Sequence, residues 1–193
     1  RDFIVNTHHL PAKYAEAFPD SRYRNAPVTF RHEPVLLETA GGIANALHLL
    51  GDEPFVAVSG DIYCPYFDFE QVKDVLHDKD MWGNPYPPEK RDACWLYLTP
   101  NPWHNPEGDF ALDMYTLKND GATKWNFAGI GVYRAEMFDG IEAGEFIKFG
   151  PLMRKFIEQG RVGGEIYQGQ WVNVGTVGQL EELNAPLRAA KSA

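Results

Sequence analysis

Residues 37–63, "LETAGGIANALHLLGDEPFVAVSGDIY", decide the fold class. Ile43, Leu47 and Leu50 recur at helical spacing, and Gly51 stands where such a helix would stop. "PFVAVSGD" then reads as a buried strand ending at Gly60 and Asp61. A glycine pair thus opens the helix and an acid closes the strand. Thr39, Ala40, Gly41 and Gly42 precede the apolar stripe, so free backbone N–H groups are expected there, a setting that attracts phosphate or a base carbonyl. In open α/β sheets ligands bind beyond the carboxyl ends of the strands. An aspartate at that place, such as Asp61, commonly meets a hard cation such as Mg²⁺. Each signal alone has an ordinary structural counterpart, a glycine turn for the first and an aspartate bonded to its own backbone for the second.

Working outward, "FIVN" is a short apolar run ending in polar residues and reads as a buried strand. "LPAKYAEAF" follows as a helix with Pro11 in its first turn, and "VTFRHE" alternates as a second strand. Beyond the opening stretch, Asp68 and Gln71 have the spacing of a capping box for a helix over "FEQVKDVLH". "DMWGNPYPP" and "NPWHNPEGD" are turn-rich loops on either side of the strand "ACWLYLTP". "FALDMYTLKNDG" predicts a strand, a break and a tight turn, and "FAGIGVY" a strand whose small residues leave room for a close neighbour. "FGPLMRKFIEQG" is helical, and "GEIYQGQWVNV" predicts a strand pair. It leads into a helix over "GTVGQLEELNA", capped by Thr176 with Gln179 at the capping-box offset. This strand–helix alternation implies parallel pairing in an α/β sheet with helices on both faces. No repeat interrupts it, and one domain over residues 1–193 is expected.

Composition narrows the functional classes. A chain of 193 residues can bury a sizeable core, and 13% aromatic and 44% hydrophobic residues argue against disorder. A formal net charge of −9 disfavours nucleic acid as a partner, because phosphate neutralisation needs clustered Lys and Arg. Cys64 and Cys94 form neither a metal-ligand spacing nor a disulfide framework. No membrane-length apolar run and no signal peptide is recognisable, so a cytoplasmic protein is expected. His8, His9, His32, His48, His77 and His104 fit no zinc spacing. No phosphate-loop lysine follows the glycine pair, "GIGVYR" carries Arg134 in place of a third fingerprint glycine, and no G-x-S-x-G elbow occurs.

The order "HEPVLLETAGGIANAL", "FVAVSGDIY", "TPNPWHNPEGDFAL", "FAGIGVY" and "WVNVGTVGQLEELN" resembles the sugar-1-phosphate nucleotidyltransferases. The N-acetylmuramate-1-phosphate uridylyltransferase branch, which serves peptidoglycan recycling, is nearest in pattern. The resemblance covers essentially the whole chain. It implies the fold of the nucleotide-diphospho-sugar transferases, a Rossmann-like mixed, mostly parallel sheet flanked by helices. It implies transfer of a nucleoside monophosphate, UMP from UTP in this branch, to a sugar 1-phosphate with release of pyrophosphate. By position, Glu33 and the run Glu38, Thr39, Ala40, Gly41 and Gly42 would contact base and ribose. Asp61 and Asn173 would hold Mg²⁺, with Asn173 standing where many relatives carry aspartate. Asn105, Asp109, Asn126, Gly129 and Glu165 would line the sugar-phosphate side.

The resemblance also implies a departure at the front. The family opens with a strand, a glycine-rich loop bearing an arginine and a Pro-Lys-Pro segment, and "FIVNTHH" resembles the family's second strand. The expectation is therefore of an amino-terminally truncated chain that lacks the first strand and is inactive or nearly so. A mannose- or glucose-1-phosphate nucleotidyltransferase and a noncatalytic nucleotide-sugar-binding module are the alternatives.

Overall fold

The computed structural model describes residues 2–191. Its internal contacts separate two units, one built from residues up to 55 with 134–156 and one from 56–133 with the chain from 157 onward. The first unit begins with β1 (Phe3–Thr7), α1 (Pro11–Ala17), β2 (Arg22–Tyr23), β3 (Ala26–His32) and α2 (Glu38–Leu50), and it receives α3 (Phe149–Glu158) later in the chain. Its three strands lie in the order β1-β3-β2. β1 and β3 are parallel with Asn6 beside Arg31 and Thr7 beside His32, while β2 pairs with β3 antiparallel. Pro11 sits in the first turn of α1, where its missing N–H costs nothing. The rings of Tyr14 and Phe18 lie 6.0 and 5.7 Å from that of Phe30 on β3. α2 runs over the predicted residues and stops at Gly51, whose φ of 77° lies in the left-handed region. Ala40, Gly41, Gly42, Ala44 and Ala46 form its buried side, so small residues bring this helix close to its neighbours.

The second unit is built on a six-stranded sheet in the order β4-β9-β6-β10-β8-β7. Its strands are β4 (Phe55–Val58), β6 (Cys94–Thr99), β7 (Phe110–Asp113), β8 (Thr116–Lys118), β9 (Lys124–Tyr133) and β10 (Val162–Ile166). A two-stranded ribbon of β5 (Ile62–Tyr63) and β11 (Val172–Asn173) accompanies it, and α4 (Val177–Lys191) follows. Five of the six β6 residues are buried, as expected of a strand covered on both faces. Phe67, Val72, Tyr97, Ala128, Ile130 and Val132 form one core cluster, against which Ile62 of β5 and Trp171 beside β11 pack. Phe67 is its hub, with ring centroids 4.8 Å from Tyr97 and 5.3 Å from Tyr167. Burying a ring of this size contributes roughly 1.5–3 kcal/mol.

The architecture is mixed α/β, as expected, with local corrections. The strands fall into three sheets, and the parallel pairs β1–β3 and β10–β6 are fewer than the strand–helix alternation implied. β7 and β8 are joined by a short turn that makes them antiparallel neighbours, and β9 pairs antiparallel with β7 and with β6. The segment "GEIYQGQWVNV" does contain two strands, but they pair elsewhere, β10 with β6 and β11 with β5. The helix expected over residues 69–77 shrinks to one tight turn at Gln71–Asp74. Asp68 accepts from the Glu70 N–H at 2.9 Å, an Asx turn that replaces the capping box. The box at α4 does form: the Thr176 hydroxyl accepts from the Gln179 N–H at 3.2 Å and donates to its side-chain oxygen at 3.1 Å. Among the described residues no helix is long and apolar enough to cross a membrane.

Candidate active site

In the first unit, the parallel pair β1–β3 delivers two side chains to the same place. The Glu33 N–H donates to the Thr7 carbonyl at 2.8 Å, continuing the ladder one residue past β3 and fixing where the Glu33 side chain starts. His8 Nδ1 meets the Glu33 carbonyl at 2.8 Å and holds the same corner. Glu33 is only 5% exposed. Asn6 Nδ2 donates to Glu33 Oε1 at 2.8 Å and to the Gly42 carbonyl at 2.7 Å, tying strand, carboxylate and helix together. A Cβ on Gly42 would lie 2.9 Å from Asn6 Nδ2 and 3.0 Å from Glu33 Oε1, so any larger residue there would push on this pair.

The neighbouring glycine serves a different purpose. A Cβ on Gly41 would fall 2.1 Å from the Glu145 carbonyl oxygen. The Gly41 N–H donates to the Ile147 carbonyl at 3.2 Å, and the Ile147 N–H returns to the Leu37 carbonyl at 3.1 Å. The expectation of free N–H groups at the start of α2 therefore fails at Gly41, because the segment through Ile147 takes that donor. Close packing also accounts for Ala40, which is 0% exposed and has no side-chain surface to offer. Thr39 is exposed, and Glu38 is half-buried with a φ of 62°, a strained value for a non-glycine residue.

In the second unit, the turn after β4 carries Asp61, and β5 and β11 place Asn173 beside it. Asn173 pairs with Ile62 across the ribbon, and the Val174 N–H donates to the Asp61 carbonyl at 2.6 Å. A Cβ placed on Gly175 would lie 3.0 Å from Asn173 Oδ1 and 3.7 Å from Asp61 Oδ2. Both oxygens thus border one point. Asp61 is exposed and its carboxylate has no side-chain partner among the described residues, while Asn173 Oδ1 accepts one bond, from the Gly175 N–H at 2.9 Å. A carboxylate and an amide oxygen are the hard donors that Mg²⁺ selects, and that ion takes its remaining ligands from water and phosphate. No cluster of three or more His, Cys, Asp or Glu occurs among the described residues, so an ion here would have few protein ligands.

The residues expected on the sugar-phosphate side divide into a clasp, a bulge and one separate acid. Asn105 Nδ2 donates to Asp109 Oδ1 at 3.1 Å and to Asn126 Oδ1 at 2.9 Å. Asp109 Oδ2 accepts from the Phe127 N–H at 2.7 Å, and Asn126 Nδ2 donates to the Phe127 carbonyl at 2.8 Å. The fold does bring these three together, but both Asp109 oxygens and the Asn126 amide are engaged within the cluster and with β9. The clasp fastens the 101–109 loop to the sheet. Gly129, with φ of 74°, sits where the β6–β9 register shifts. The Ser59 N–H donates to its carbonyl at 2.7 Å, and a Cβ there would meet the Ser59 side chain at 2.7 Å. Its place is one of close approach, holding the turn that precedes Asp61. Glu165 on β10 lies beside Tyr97 of β6. Burial first, and then the Glu165 carboxylate, push the pKa of the Tyr97 hydroxyl up to about 12.

Two positioning residues escaped the sequence reading. Asn6 was visible only as the polar end of an apolar run. Trp171 fixes the ribbon by donating its indole N–H to the Ala128 carbonyl at 2.7 Å. That carbonyl belongs to the irregular step of β9, which no local pattern marks.

No family model matches the chain. It is 38% identical over 188 residues to the N-acetylmuramate alpha-1-phosphate uridylyltransferase of Neisseria meningitidis serogroup B (strain ATCC BAA-335 / MC58), covering 95% of this chain and 77% of that protein. Among solved structures it resembles HddC from Yersinia pseudotuberculosis complexed with GMP-PN, with a TM-score of 0.66 at 14% identity over 93% of this chain and 75% of that one. It likewise resembles the inositol-1-phosphate CTP transferase of T. maritima, with a TM-score of 0.65 at 13% identity over 99% of this chain and 75% of that one. At such identities the structural likenesses establish the fold, whereas the sequence relative, matched along nearly the whole chain, establishes the kinship: the chain belongs to the sugar-1-phosphate nucleotidyltransferase family.

Proposed function

We propose that the chain, both units included, is the nucleotidyltransferase domain of a protein that transfers UMP from UTP to N-acetylmuramate 1-phosphate, releasing pyrophosphate. The observation that carries this reading is that Asn173 Oδ1 and Asp61 Oδ2 border one point at Gly175, in a chain whose relative is a uridylyltransferase by name. A phosphate oxygen of the sugar 1-phosphate attacks the α-phosphorus of UTP. The new P–O bond forms as the bond to the β-phosphate bridging oxygen breaks, and pyrophosphate leaves with that electron pair.

Asp61 and Asn173 would hold Mg²⁺, which when bound supplies positive charge between phosphate groups that otherwise repel. The protein's part is mainly positioning. The Asp61 backbone carbonyl is pinned by Val174, and Trp171 anchors the ribbon that carries Asn173. Glu33 in the first unit offers an acceptor to the base, with Glu38 and Thr39 at the start of α2 beside the ribose. Glu165 is an acceptor for a sugar hydroxyl, whereas both Asp109 oxygens are taken within the clasp. Neither cysteine is in a disulfide, which suits a reducing cytoplasm.

Calorimetric titration tests this directly. UTP should bind more tightly with Mg²⁺ than without, and Asp61→Ala should abolish that difference while leaving metal-free binding in place. UDP-N-acetylmuramate should bind more tightly than UDP-glucose or GDP-mannose. Unchanged Mg²⁺ dependence in the variant removes Asp61 from the metal site, and preference for GDP-mannose overturns the substrate assignment.

A further inference from the structure

We propose that Asn6 determines base preference by locking the rotation of Glu33, so that this carboxylate offers the base one outward acceptor matched to the N3–H of uracil. The inference rests on the reading that Glu33 faces the base, and it adds the residue that sets what Glu33 can recognise. Asn6 Nδ2 has two hydrogens and two acceptors, Glu33 Oε1 at 2.8 Å and the Gly42 carbonyl at 2.7 Å. The amide cannot flip, because its own oxygen would then face two acceptors. One Glu33 oxygen is therefore committed. The other has no partner among the described residues, on a side chain only 5% exposed. Gly42 closes the arrangement from the helix side, since any Cβ there would press on both Asn6 and Glu33.

Chemistry then decides among bases. A lone carboxylate oxygen accepts from an imide N–H such as uracil N3–H. It repels the unprotonated N3 of cytosine, which is itself an acceptor. A freely turning carboxylate could present both oxygens to the paired N–H donors of guanine, whereas the locked one presents a single oxygen. Exposed Asn6 and buried Glu33 thus have separate roles, the amide setting direction and the acid supplying the bond.

Glu33→Gln exposes the lock. A hydrogen bond from Asn6 favours one orientation of the introduced amide, its oxygen toward Asn6 and its NH₂ toward the base. That group donates to cytosine N3 and meets uracil N3–H donor to donor. Calorimetry on the full chain with Mg²⁺ and either UTP or CTP should show UTP weakened about tenfold or more and CTP becoming the tighter ligand, one lost bond of about 1.4 kcal/mol corresponding to tenfold. Asn6→Ala combined with Glu33→Gln frees the amide to rotate and should return the two affinities to within about threefold of each other. Asn6→Ala alone frees the carboxylate to present both oxygens, so GTP, with its paired N–H donors, should tighten about tenfold relative to UTP, whereas a merely structural role would weaken both equally. Should Glu33→Gln fold poorly by circular dichroism, this single variant carries the test.

The outcomes separate. Loss of UTP without gain of CTP in Glu33→Gln, or equal weakening of UTP and GTP in Asn6→Ala, overturns the orientation lock while leaving Glu33 at the base. No change of either affinity in Glu33→Gln, or no nucleotide binding by the unmodified protein, overturns the underlying assignment of Glu33.

Discussion

Glu33 in the first unit and Asp109 in the second are both acids placed just outside strands, and both were expected to touch substrate. Their hydrogen bonds differ. Asp109 accepts at each oxygen, from Asn105 and from the Phe127 backbone, within a loop-to-strand clasp. Glu33 accepts at Oε1 alone, from Asn6. An acid whose acceptors are all used by its own fold is a fastener. One with an oxygen that the fold leaves unbonded keeps an acceptor open to a ligand. Residue type and motif position do not distinguish the two; the count of satisfied lone pairs does.

The strongest test of this contrast is a pair of truncations. Asp109→Ala orphans the Phe127 N–H and the Asn105 amide, and should cost about 3 kcal/mol in urea unfolding while leaving nucleotide affinity little changed. Glu33→Ala should cost about 1 kcal/mol or less, because exposed Asn6 can turn to water, yet it should weaken UTP sharply. Equal stability losses in the two variants would erase the distinction between fastener and reader.

Glu165 sharpens the comparison from another side, because its neighbour Tyr97 is buried and holds its proton. An unfolded tyrosine ionises near pH 10, whereas burial and the Glu165 carboxylate raise the pKa of Tyr97 to about 12. The folded state therefore retains a proton that the unfolded state loses. The contribution is fully present below about pH 10 and is lost as pH rises through about 12. Buried Tyr133 and Cys94 are also raised and act with the same sign. The urea midpoint should fall across this window, and less steeply in Tyr97→Phe. Parallel slopes in the two proteins would take Tyr97 out of the effect.

The smallest expected change in stability is at Gly42. Alanine gains about 1 kcal/mol in helix propensity, which offsets the crowding of Asn6 and Glu33. Gly42→Ala should therefore unfold within about 1 kcal/mol of the parent. UTP affinity should nevertheless fall severalfold if the displaced pair contacts the base as proposed. An unaltered affinity would show that the glycine answers only to packing.

Much of the fold was legible in local pattern. α2 and its Gly51 stop, Pro11 in α1, the Thr176 cap, the strand at Cys94–Thr99 and the 127–133 part of β9 all follow from periodicity, turn residues and capping chemistry. Where the reading failed, a distant partner had usually won. β10 and β11 abandon each other for β6 and β5, while Asp68 bonds two residues on instead of starting a long helix. Among the candidate site residues, the motif order brought forward Glu33 in the first unit and Asp61 and Asn173 in the second. It did not reveal Asn6, 27 residues from its partner Glu33.

By itself the sequence determined the α/β class, the family pattern and the residues able to do chemistry, because these depend on side-chain type and on spacing along the chain. Only the tertiary structure decided which N–H of the glycine pair is already taken, which acids are saturated, and that the Asp61 and Asn173 side chains border one point at Gly175. The physical reason is that each donor and acceptor has limited capacity. Whether that capacity is filled by the fold or left for a ligand depends on neighbours that local sequence cannot specify.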